Sequence, residues 1–218
     1  HLASHNRFLV QQLDLVHRSM ALMANTSFAA EGRDEVALDE HARIVAAIEA
    51  LERTTERPVV WATAQYLSYA KPGSVVDVDV TVAVSGRQIS QARAVGHVAD
   101  REIFTVNAAL GSRDLEVEQH WAEPPVVPRP EDCDPRPLRI PGEESIMSRL
   151  DLRLASAKAW EDLIGNPAPG GRSALWARIP DLLEPSAATL AILGDYVPFG
   201  IGQALGLRAG GNSLDNTL

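Results

Sequence analysis

Val76-Asp77-Val78-Asp79-Val80-Thr81-Val82-Ala83-Val84 places a valine at every second position, with mostly polar residues between. A period of two is the spacing of a β-strand, whose successive side chains point to opposite faces. One face is apolar and the other wet, as in an antiparallel sheet packed on one side only. Working outward, strands are predicted over Val59 to Ala70 before this segment, and over Arg87 to Ala99 and Arg101 to Leu110 after it. The joints Lys71-Pro72-Gly73, Ser85-Gly86 and Asp100-Arg101 are short and rich in turn-forming residues. They predict hairpin-like turns and a meander of consecutive strands, Ser74 to Ser85 being the second.

Upstream of the strands the period changes to that of a helix. Asp39 is a candidate N-cap, Ile44, Val45, Ile48 and Leu51 form an apolar stripe, and Arg57-Pro58 ends the segment. Laid across the meander, this helix buries its own stripe and the apolar sheet face together. Earlier still, Leu9, Leu13, Val16, Met20 and Met23 recur at helical spacing, which predicts another helix up to Asn25-Thr26-Ser27.

Between 123 and 142 there are seven prolines, at 124, 125, 128, 130, 135, 137 and 141. They remove backbone donors and predict an extended linker without regular structure. Beyond it the grammar repeats. Leu150, Leu152 and Leu154 alternate within Met147 to Ala157, and Ser173 to Ile179 is another strand candidate. Pro185-Ser186 opens a helix carrying Leu190, Leu193 and Val197, which Pro198 kinks or ends. Phe199-Gly200-Ile201-Gly202 then carries the chain on, and the stretch after Gly210-Gly211 begins a new strand. The expected division is 1–37, an N-terminal helix and lead-in; 38–122, a first unit; 123–146, the linker; and 147–218, a second unit. A helix followed by the start of one strand has too little sheet to pack on. The second unit is therefore expected to be incomplete, either truncated or finished by strands of another molecule.

The net charge of −9 argues against nucleic acid, whose phosphates need a basic face. It leaves room for a phosphorylated small ligand held by a few local cations. No run of residues has the length and apolarity of a membrane span. Cys133 is the single cysteine, so no internal disulfide forms and a cytoplasmic setting is expected. Its neighbours Asp132 and Asp134 disfavour a thiolate, which makes it a poor nucleophile.

Four segments resemble the acyl-CoA thioesterase II-like family. Val60-Trp61-Ala62-Thr63-Ala64-Gln65-Tyr66-Leu67-Ser68-Tyr69-Ala70-Lys71-Pro72-Gly73 is similar to that family's second-strand signature. Gly86-Arg87-Gln88-Ile89-Ser90-Gln91-Ala92-Arg93-Ala94-Val95 resembles its Gly-Arg turn. Arg101 to Leu110 resembles the last strand of its first half, and Ser213-Leu214-Asp215-Asn216-Thr217 the segment that supplies its catalytic aspartate. The resemblance implies an α+β double hotdog, two helix-on-antiparallel-sheet units in tandem. It also implies hydrolysis of acyl-CoA thioesters in lipid metabolism, without a cofactor, by a homo-oligomer. Three features depart from the family: the N-terminal helix has no counterpart, Leu38-Asp39-Glu40-His41 replaces the usual helix opening, and the Thr or Ser and the Gln that complete the family's catalytic set are expected beyond Leu218.

Thioester hydrolysis needs an activated water and donors where the carbonyl oxygen becomes negative. The resemblance implies Asp215 as the base, entering a strand on the face the helix covers, with Asn216 and Thr217 orienting the water or the aspartate. The local sequence alone is equally that of a turn cap made with Asn212. Asp39, Glu40 and His41 could serve as an acid–base pair of a hotdog hydratase or dehydratase, or simply as the N-cap and acidic first turn that a helix dipole favours. A noncatalytic acyl-CoA-binding module is the third reading. His5, His17, His97 and His120 are isolated, so no metal is expected.

Overall fold

The computed structural model describes residues 6–9, 40–68, 70, 74–113, 119, 123–136, 150–159, 161–180, 186–194, 197–207 and 214–218. Within them lie strand β1 (Asn6–Leu9), helix α1 (Glu40–Thr55), and strands β2 (Val59–Tyr66), β3 (Asp77–Ser85), β4 (Ile89–Val98) and β5 (Arg101–Gly111). The second half contributes β6 (Asp134–Pro135), β7 (Asp151–Ser156), β8 (Ala174–Arg178), α2 (Ala187–Gly194), α3 (Val197–Leu205) and β9 (Asp215–Thr217). One antiparallel sheet has the order β1-β3-β4-β5-β2-β9, and a second the order β6-β7-β8.

Helix α1 lies on the first sheet because both surfaces are shaped for it. Ala62, Ala64, Ala92, Ala94 and Ala108 face it from the sheet, all at most 5% exposed. Their small side chains let Ile44, Ile48 and Leu51 approach the strands closely. Phe104, Val106, Val78 and Val80 fill the rest of this core. Val45, on another side of the same helix, joins Ile179 and Ile192 in a separate cluster. The helix is therefore sandwiched between the sheet and α2, and its apolar stripe is wider than one face.

Several expectations need correction. The four long strands do not form a simple meander: β2 pairs with β5, so only the β3–β4 and β4–β5 joints are hairpins. The residues between Tyr66 and Asp77 make a crossover instead, started by Leu67 and Ser68 donating their N–H groups to Ile103 O. Val84, inward-facing by its period, is 55% exposed because a bulge between Val82 and Val84 shifts its register. Leu9 lies in a strand paired with β3 at Asp77, not in a helix; the rest of the predicted N-terminal helix and the Asp39 cap lie outside the described residues. The helix opened at Pro185-Ser186 has its last described residue at Gly194, before Val197, and Pro198 lies in the first turn of a further helix that was not expected. Val197 to Leu205, with Gly200 and Gly202, forms α3, where a proline near the start gives up only an N–H that has no helical partner. Ser186 caps α2 through Oγ, which accepts the Thr189 N–H at 3.1 Å.

The proline-rich stretch is also less irregular than expected. Pro130–Asp132 forms a 3-10 turn, and Asp134–Pro135 pairs with β7. Trp176 donates its indole N–H to Pro128 O at 2.9 Å, tying the stretch to β8. Cys133 is buried, with Sγ 3.1 Å from Arg129 O.

Gln203 organises the loops around α3. It is 1% exposed, accepts the Lys158 N–H through Oε1 at 2.8 Å, and donates Nε2 to Lys158 O at 2.9 Å. The Lys158 ammonium then holds Asn166 and Pro167. Gln203→Leu preserves the volume and leaves both backbone groups of Lys158 without their partners. A loss of about 1–3 kcal/mol in urea unfolding is expected.

At the β4–β5 turn, His97 Nδ1 lies 2.8 Å from Ala99 O and Nε2 lies 2.9 Å from Asp79 Oδ2. Both acceptors are satisfied only when both ring nitrogens carry hydrogen, which is the imidazolium form. The Ala99 carbonyl, then the hydrogen bond and charge of Asp79 and the charge of Asp77, raise the His97 pKa above 6.5 against some desolvation. This contribution to stability is complete below the unfolded value and lost as pH rises through the folded one. Wild type is therefore expected to lose stability relative to His97→Asn as pH is raised from 6 through that window, read by urea midpoints.

Candidate active site

Strand β9, from the second half of the chain, extends the sheet of the first half. Leu218 and Ala62 exchange backbone hydrogen bonds at 2.9 and 3.2 Å, and Tyr66 donates its N–H to Leu214 O at 3.0 Å. The register sets Asp215 opposite Gln65, Asn216 opposite Ala64 and Thr217 opposite Thr63. Paired residues of antiparallel strands share a face. Because Ala64 is buried under α1, Asn216 shares the helix-covered face, while Asp215 and Thr217 share the outer face. The expectation that Asp215 points under the helix is thus corrected: its side chain is on the other face, and exposed.

On the helix side, Asn216 Nδ2 donates to the Tyr66 hydroxyl at 3.3 Å. Arg43 is 4% exposed in the second turn of α1 and donates Nη1 to Ser68 O at 2.7 Å, just beyond the end of β2. These groups lock the end of β2 against the helix.

On the outer face, Asp215 and Gln65 lie side by side, and the Thr63 and Thr217 hydroxyls are 3.2 Å apart. The next strand continues both rows, with Thr105 beside Gln65 and Asn107 beside Thr63. A carboxylate, two primary amides and three hydroxyls therefore sit within two pleats, where Asp215 is an acceptor and the other groups can donate. The sequence places Asp215, Asn216 and Thr217 next to each other, and the structure separates Asn216 from the other two. Gln65, Thr63 and Thr105 were not anticipated as site residues, since only the β2–β9 and β2–β5 registers bring them to Asp215.

Asp39 and the side chains of Glu40 and His41 lie outside the described part of the structure. Among the described residues no group of His, Cys, Asp or Glu side chains could hold a metal ion. No helix among them is long and apolar enough to cross a membrane.

No sequence-family model matches the chain, and no curated protein does. Solved structures do. A protein assigned as a thioesterase from Novosphingobium aromaticivorans is 34% identical, with a TM-score of 0.70 over 86% of this chain and 71% of its own. A hot dog fold protein of unknown function from Alicyclobacillus acidocaldarius, at 18% identity, has a TM-score of 0.66 over 82% of this chain and 65% of its own. The tesB protein of Mycobacterium avium subs paratuberculosis, also at 18%, has a TM-score of 0.61 over 84% and 67%. The latter two show the fold alone. With the helix on its antiparallel sheet, the second sheet, and the first relative's identity over most of both chains, this chain belongs to the acyl-CoA thioesterase II-like double-hotdog family of the thioesterase superfamily.

Proposed function

We propose that the protein hydrolyses acyl-CoA thioesters to free acid and CoA, with Asp215 as the base that activates water. The observation that carries this reading is the β2–β9 pairing, which sets an exposed carboxylate beside Gln65 and the Thr63–Thr217 hydroxyl pair. Asp215 accepts a proton from the water as its oxygen attacks the thioester carbonyl carbon. The Gln65 amide and a threonine hydroxyl donate to the oxygen that becomes negative. When the tetrahedral intermediate collapses, the C–S bond breaks, and the departing thiolate takes the proton back from Asp215. Neither Asn216 nor a metal has a step in this scheme; Asn216 positions β9 through Tyr66.

The same reading assigns the two units to 38–122 and 147–218, joined by the linker at 123–146, in a cytoplasmic homo-oligomer. Thiol release from a panel of acyl-CoA esters, short to long, tests it. Turnover is expected, with a chain-length preference. Absence of turnover with acyl-CoA still bound would instead support a noncatalytic acyl-CoA-binding module.

A further inference from the structure

We infer that the corner around the Gly86–Gln88 turn binds the phosphate groups of the CoA half of the ligand, through the Arg87 and Arg113 guanidiniums. The inference rests on the acyl-CoA reading for the identity of the ligand, and on the following geometry for its place.

Three separate segments meet at this corner. From the α1–β2 junction, Arg57 donates Nη1 to Gly86 O at 2.9 Å and to Ser90 Oγ at 3.1 Å, and Nη2 to Arg87 O at 3.4 Å. Ser90 is 2% exposed, so this clamp is anchored in the core. At the end of β5, the Gly111 N–H bonds Pro58 O at 2.8 Å. Gly111 has φ +145°, and a Cβ there would collide with Gln88 O, so the end of β5 and the turn touch backbone to backbone. Arg113 Nε donates to Gln88 Oε1 at 3.2 Å, fixing the second guanidinium beside the turn that carries the first.

The corner is thus rigid, and Arg57 is consumed in building it. Arg87 and Arg113 are not: both are exposed, and no carboxylate among the described residues pairs with either. Among the described residues, these are two exposed guanidiniums at one corner without a carboxylate partner, in a chain of net charge −9. Guanidinium groups suit phosphate oxygens, which they can engage in paired, charge-assisted hydrogen bonds.

The location also fits a long ligand. By strand rise and spacing, Gly111 at this corner, in the same alternating row of β5 as Thr105 and Asn107, is about 23 Å from Asp215. An extended ligand with its thioester at one end and its phosphates at the other spans such a path. Asn107, Ala109 and the half-exposed Trp61 lie between, on the same face.

Calorimetric titration with CoA, dephospho-CoA and pantetheine, on wild type and on the Arg87→Gln/Arg113→Gln variant, decides the matter. The variant is expected to bind CoA about tenfold or more weakly, because charge-assisted hydrogen bonds are lost. Its binding of pantetheine, which has no nucleotide phosphates, is expected to be unchanged, as is its thermal midpoint. In wild type, CoA affinity falls with added salt, and in the variant that dependence shrinks. Equal CoA affinity in the two proteins, no CoA binding by wild type, or an equal loss for pantetheine overturns the site. Failure of the hydrolase reading is a separate result: the chain would turn over no acyl-CoA, yet bind CoA in an Arg87- and Arg113-dependent way.

Discussion

Asp215→Asn is expected to lower kcat for acyl-CoA hydrolysis by about 10²–10⁴-fold, the range for loss of a positioned general base, with KM nearly unchanged. Asparagine keeps the shape of the side chain and removes its capacity to accept a proton. The substitution is exposed on the outer face, and β9 is held by backbone bonds to Ala62 and Tyr66 that it does not touch. Stability is therefore expected to stay within about 0.5 kcal/mol of wild type, which separates a chemical loss from an unfolding one. Asn216→Ala is the necessary companion. It removes the hydrogen bond to Tyr66 on the helix-covered face and is expected to alter stability while sparing kcat. If Asn216→Ala abolished turnover and Asp215→Asn did not, the chemistry would belong to the Tyr66 side of the sheet, and the proposed base would be wrong.

The same two residues show how far the sequence could be read. The valine alternation of β3 announces its buried face: Val78 and Val80 are each 1% exposed. The stripe of α1 likewise delivers Ile44, Ile48 and Leu51 to the core. Such signals are local, because the period of a strand or helix is carried by neighbours in the chain. Which strand lies beside which is not local. Nothing in the Lys71-Pro72-Gly73 joint distinguishes a hairpin from the crossover that puts β2 against β5. The Val84 bulge is similarly invisible, since the sequence keeps its period through a point where the pairing slips. The candidate site suffers most from this. Asp215 was legible through family resemblance, but its face depends on the β2–β9 register, and a one-residue slip would exchange it with Asn216. Gln65 and Thr63 were present in a quoted motif without any indication of their partner 150 residues downstream of Gln65. The phosphate corner was half visible: the Gly-Arg turn stands out in the sequence, whereas Arg57 and Arg113 reach it only through tertiary contacts.

Phe104→Ala is expected to destabilise the protein by about 3–5 kcal/mol in urea unfolding, the usual range for emptying a buried aromatic site. Phe104 is 1% exposed and is the largest of the fully buried side chains among the described residues. Its ring lies over Gly96, its register partner on β4, where a Cβ would meet ring atoms Cε1, Cζ and Cδ1. The glycine thus serves to seat the ring rather than to relax the backbone, since its φ is not in the left-handed region. Gly96→Ala should cost about 1–3 kcal/mol as the ring is driven from its place in a core of small, closely packed alanines. The two effects share one cause, so they should not add. In Gly96→Ala/Phe104→Ala the new methyl group enters space that the ring has vacated, and the double variant should be clearly more stable than the sum of the single losses predicts. Additive losses would mean that Gly96 matters for some reason other than the ring, and that the fit between β4 and β5 has been misjudged.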